Sequence, residues 1–131
     1  MNILIIEDHE DTAHALRRVL REWGHESAVV AGAEEALRLC GSRSFDLILS
    51  DIVLGDVTGW DVAKQLKSRC GAKLIALTGL GQPEDVERSM SAGFDAHLVK
   101  PVAMEKLRET IDRVTGTPTG VGSTLNQTTP A

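Results

Sequence analysis

Along the chain, short unbroken apolar runs alternate with longer segments whose apolar residues recur every three or four positions. Ile3-Leu4-Ile5-Ile6 is such a run, and it predicts a strand buried on both faces. Ala13, Leu16, Leu20 and Trp23 follow at helical spacing, with Gly24 as the stop. His25 to Val30 reads as a weaker second strand, and Ala33, Ala36, Leu37 and Cys40 as a second helix ended by Gly41. Asp46 to Ser50 (DLILS) predicts the third strand, and Gly59, Val62, Ala63 and Leu66 the third helix. Lys73 to Leu77 (KLIAL) predicts the fourth strand. A short fourth helix is expected from about Pro83 to Ala92, with Pro83 in the first turn, where the missing N–H does no harm. Ala96 to Val99 is the fifth strand. Met104, Leu107, Ile111 and Val114 give a last helix, stopped at Gly116.

Five strands alternating with five helices imply an α/β protein with a parallel sheet and helices on both faces. Right-handed crossovers then favour a doubly wound fold with strand order 2-1-3-4-5. Its ligand crevice lies at the carboxyl ends of the strands. The 131 residues fit one domain, expected over 1–115. Residues 116–131 are rich in Thr, Gly and Pro and carry no charged side chain, which reads as a flexible tail or linker.

Composition narrows the choices. The net charge is -5 and no block of Lys or Arg stands out, which argues against direct binding of nucleic acid. The apolar start is too short for a signal peptide or a membrane span, so a cytoplasmic protein without membrane contact is expected. Cys40 and Cys70 lack metal-ligand spacing. An extracellular pair could form a disulfide, but reduced, small buried hydrophobes are the favoured reading, because a chain this long needs no disulfide framework.

The residues with chemistry sit just after strands: Glu7 and Asp8 after the first, Asp51 after the third, Thr78 after the fourth and Lys100 after the fifth. Singly, each has an ordinary explanation: helix capping for Glu7-Asp8, a turn for Asp51, an exposed cation for Lys100. Together they converge on one crevice. Three gathered carboxylates repel, and Mg²⁺ relieves that repulsion, favouring carboxylates, water and phosphate oxygens. A carboxylate can also attack phosphorus to give an aspartyl-phosphate, with a lysine and a hydroxyl stabilising the phosphoryl oxygens.

The stretches ILIIED at 3–8, DLILSDIVLGDVTGWDVA at 46–63, IALTG at 75–79 and AGFDAHLVKPV at 92–102 resemble the receiver domains of two-component phosphorelay response regulators. That resemblance implies a flavodoxin-like, CheY-like fold. It also implies a module that is not an enzyme beyond its own phosphorylation and dephosphorylation. Asp51 would be the phospho-acceptor. Asp8, Asp51 and the Val53 carbonyl would ligate Mg²⁺, with Glu7 acting through a metal-bound water. Thr78 and Lys100 would hold phosphoryl oxygens, Lys100-Pro101 would be cis, and Gly79 would leave room for the phosphoryl group. A sensor histidine kinase or phosphotransfer protein would be the donor, and the output partner is unknown.

Three departures from the family pattern stand out. Glu7 replaces the commoner Asp, Gly55 replaces a frequent Pro and would loosen the loop after Asp51, and His97 occupies the usual Tyr or Phe switch position. His97 is read equally as a half-exposed strand histidine or as a rotating switch. As a switch, it would turn inward when Thr78 moves, changing the surface of the fourth helix, fifth strand and fifth helix. His9 reads as a solvated loop residue beside the site, His14 and His25 as structural, and Trp60 as packing at the start of the third helix. An Asp-nucleophile phosphohydrolase would need a second Asp where Val53 stands, and a nucleotide switch would need a phosphate-binding loop that is absent. An unphosphorylated interaction module is the remaining alternative.

Overall fold

The computed structural model describes residues 1–54 and 57–116. Five parallel strands form one sheet: β1 (Asn2–Ile6), β2 (Glu26–Val30), β3 (Leu47–Ser50), β6 (Lys73–Thr78) and β7 (Ala96–Val99). Their order is β2-β1-β3-β6-β7, the expected 2-1-3-4-5 arrangement. The helices are α1 (Glu10–Glu22), α2 (Ala33–Cys40), α3 (Gly59–Cys70), α4 (Pro83–Ala92) and α5 (Met104–Thr115).

The apolar runs are unbroken because both faces of the sheet are covered. Leu4, Ile6, Ile48, Leu74 and Ala76 point to one face, packing with Ala36 of α2, Ala63 and Leu66 of α3, and Phe45 and Phe94. Their neighbours Ile3, Ile5, Leu47, Leu49, Ile75 and Leu77 point to the other, against Leu16 and Leu20 of α1 and Leu107 and Ile111 of α5. Strand alternation thus divides one stretch of sequence between two apolar layers.

Helix ends follow local chemistry. Thr58 caps α3, its hydroxyl oxygen accepting from the Asp61 N–H at 3.2 Å. Gly71 ends that helix at φ +62, and Gly93 ends α4 at φ +117, backbone conformations that suit glycine.

Three expectations need correction. The second strand begins at Glu26, because the His25 N–H closes the end of α1 by donating to the Leu20 carbonyl at 2.9 Å. Two further strands, β4 (Val53–Leu54) and β5 (Val57–Thr58), form an antiparallel hairpin between β3 and α3. At two residues each they are too short to show any alternation. Finally, Cys40 and Cys70 are joined in a disulfide, with Cα atoms 5.2 Å apart. Each ends its helix, and α2 and α3 lie side by side on one face of the sheet, so 30 positions of separation in sequence close to contact in space. The Gly55 departure and residues 117–131 lie outside the described residues.

Candidate functional site

The ladder of backbone bonds runs on past the strand ends and fixes the site. The Glu7 N–H donates to the Val30 carbonyl, the Asp51 N–H to the Ile6 carbonyl, and the Lys100 N–H to the Thr78 carbonyl, at 3.0, 3.1 and 2.8 Å. The carboxyl ends of β1, β3, β6 and β7 therefore present their next residues side by side. The Lys100-Pro101 peptide is cis.

The side chains meet at Lys100. Its Nζ lies 2.7 Å from Glu7 Oε1 and 3.1 Å from Asp51 Oδ2. Glu7 is only 5% exposed, and its Oε2 accepts from the His9 N–H. Asp51 Oδ1 accepts from the N–H groups of Ile52 and Val53, at 2.6 and 3.1 Å. One Asp51 oxygen is therefore held by backbone and the other faces the ammonium. Burial by itself lowers the pKa of the Lys100 ammonium, but bonding to Glu7 and Asp51 outweighs this and raises it above the usual lysine value.

Asp8 is exposed, and among the described residues no three His, Cys, Asp or Glu side chains are grouped closely enough to hold a metal. The donor chemistry still suits a small hard dication. Glu7, Asp8 and Asp51 set three carboxylates against the one ammonium of Lys100 at adjoining strand ends, leaving an excess of negative charge and oxygen donors. Val53 follows on β4 and is half-exposed.

Thr78 is fully buried, and its Oγ1 accepts from the Leu80 N–H at 3.3 Å. Gly79 has open space where a Cβ would stand. Sequence reasoning placed Gly59 only in a helical stripe, yet a Cβ there would sit 2.9 Å from the Asp51 carbonyl oxygen. Here α3 presses directly on the Asp51 backbone, and only a missing side chain permits it. Neither hydropathy nor spacing could have revealed that contact.

His97 is half-buried on β7. Its Nε2 lies 2.7 Å from the Leu80 carbonyl oxygen and its Nδ1 2.7 Å from Ser89 Oγ, so the ring already points inward. Trp60 packs at the start of α3 and donates its Nε1–H to Ser89 at 2.8 Å. His9 caps α1 at the edge of the site, and His14 is exposed on α1. A separate apolar cavity of about 570 Å³ lies between α1 and the turn after β7, and it meets the site only at Lys100.

Comparison with known proteins gives a consistent picture. Residues 3–112 match the family model described as response regulator receiver domain. The transcriptional regulatory protein CusR of Escherichia coli is 35% identical over 108 residues, covering 82% of this chain and 48% of that protein. The chain thus spans about half the length of this relative. A receiver domain of the Pseudomonas aeruginosa sensor histidine kinase PA1611, with a magnesium ion coordinated in its active site cleft, superposes with a TM-score of 0.78. It is 26% identical and covers 88% of this chain and 98% of its own. A Burkholderia pseudomallei response regulator with a phosphorylated aspartic acid and a calcium ion superposes at 0.77, with 28% identity and coverage of 86% and 65%.

Proposed function

This chain belongs to the response regulator receiver family of two-component systems, and from that membership we propose that it accepts a phosphoryl group on Asp51. The donor is the phosphohistidine of a sensor kinase or phosphotransfer protein. The observation that carries this reading is the asymmetric holding of the Asp51 carboxylate. Oδ1 is fixed by two backbone N–H groups, which leaves Oδ2, beside Lys100, as the attacking oxygen.

In the transfer, Asp51 Oδ2 forms a bond to phosphorus while the phosphorus–nitrogen bond of the donor breaks, and the imidazole departs with the electron pair. Lys100 pairs with a phosphoryl oxygen, and the Thr78 hydroxyl donates to another. Glu7, bonded to Lys100, keeps the ammonium aimed at the crevice. Asp8, Asp51 and the Val53 carbonyl would hold Mg²⁺, with Glu7 reaching it through water. A bound magnesium supplies charge neutralisation for the phosphoryl oxygens. The magnesium and phosphorylated aspartate of the two similar structures support this assignment by kinship.

Among the described residues no helix is long and apolar enough to cross a membrane. The proposal of a sensor kinase as donor agrees with the cytoplasmic setting expected from the sequence.

Acetyl phosphate with Mg²⁺ tests the reading. Intact mass should show one added phosphoryl group on the wild type and none on Asp51→Asn. Full labelling of that variant would overturn the assignment.

A further inference from the structure

Resting on that reading of the site, we propose that Ser89 is the joint through which the phosphorylation state of Asp51 reaches α3, and that Trp60 receives it. An unbroken series of hydrogen bonds leaves the site. The Leu80 N–H donates to Thr78 Oγ1 at 3.3 Å, and the Leu80 carbonyl oxygen lies 2.7 Å from His97 Nε2. His97 Nδ1 lies 2.7 Å from Ser89 Oγ, and the Trp60 Nε1–H donates to that same oxygen at 2.8 Å.

The chemistry of the two ends orients everything between them. A carbonyl can only accept, so Nε2 carries the proton it shares with Leu80. An indole N–H can only donate, so the Ser89 oxygen accepts from Trp60. With one ring proton on Nε2, Nδ1 is an acceptor, and the Ser89 hydroxyl donates to it. In the neutral ring each group therefore has one role, and no bond can reverse alone.

Ser89 is a costly place to lose a partner. It is fully buried and is the one buried residue of α4. Of the apolar residues on that helix, Met90 is 49% exposed, and Val86 and Ala92 are only partly buried. A polar contact thus anchors α4 where an apolar stripe would be usual. A buried hydroxyl without partners is unfavourable, so its bonds to His97 and Trp60 hold or rearrange together. The Arg88 guanidinium lies 4.2 Å from the centre of the Trp60 ring, which ties the same indole to the surface of α4.

When the Thr78 hydroxyl turns to a phosphoryl oxygen, the Leu80 N–H loses its acceptor and the loop shifts. Its carbonyl then leaves His97, and the disturbance passes through Ser89 to the indole. The α3–α4 face, bearing Trp60 and Arg88, becomes a reading surface.

The indole Nε1–H resonance of Trp60, distinguished from that of Trp23 by Trp23→Phe, follows this directly. It should shift when beryllofluoride and Mg²⁺ occupy the wild-type site. In Ser89→Ala, and separately in His97→Phe, that shift should be lost while acetyl phosphate still labels Asp51 by mass. A shift retained in both variants would mean that the indole senses the site by another route. No shift in a wild type that labels normally would overturn the joint. Absence of any Asp51 adduct in the wild type would sink the reading of the site itself, and the joint with it.

Discussion

His25 is 7% exposed, with Nδ1 2.9 Å from the Met1 amine and Nε2 without a partner among the described residues. Burial lowers its pKa below the ordinary 6.5, and the N-terminal ammonium and Arg108 add to this, against the opposing pull of Asp112 and Asp46. The unfolded chain therefore takes up a proton near pH 6.5 that the folded chain refuses. Stability should fall as pH drops through 6.5 and level off below the lowered folded value. Denaturant unfolding between pH 7.5 and 5 should show a smaller loss in His25→Gln than in the wild type, and equal losses would remove His25 from the account. At this scale, legibility depends on what a residue needs from its surroundings. Glu7, Asp51 and Lys100 could be read because strand ends are visible in sequence and the fold brings them together. Gly59 and Ser89 could not, since one matters for a side chain it lacks and the other for partners on two other elements.

Elements with an unbroken apolar run, or with clear start and stop residues, were legible almost to the residue. The fourth helix was expected from Pro83 to Ala92 and lies there, because Pro83 opens it and Gly93 closes it. The β4–β5 hairpin carried no such signal, yet it carries the chain from Asp51 to the start of α3. A metal at the site would tie the turn after β1, which bears Asp8, to the turn after β3, which bears Asp51. Binding only to the folded state stabilises it by about 2.7 kcal/mol at a hundred times the dissociation constant. Mg²⁺ should therefore raise the melting temperature by several degrees, and Asp8→Ala should lose most of that gain. An undiminished response in Asp8→Ala, read by thermal melting with and without Mg²⁺, would place the ion elsewhere.

For the molecule as a whole, strand order was legible because alternating elements and right-handed crossovers leave few ways to wind the chain. The meeting of Cys40 and Cys70 was not, since hydropathy marks which face of a helix is buried and says nothing about which helix ends will touch. Their bond makes residues 40–70 a closed covalent ring, threaded through the sheet by β3 and carrying Asp51. Breaking one peptide link inside that ring does not divide the molecule. Arg43 is exposed within it and offers trypsin such a link. Nicked protein should gain the mass of one water and run as a single species on a non-reducing gel, falling into two pieces only after a thiol reductant is added. Separation without reductant would show the ring to be open in solution. While it is closed, a nick at Arg43 leaves the segment bearing Asp51 tethered to the residues before the cut.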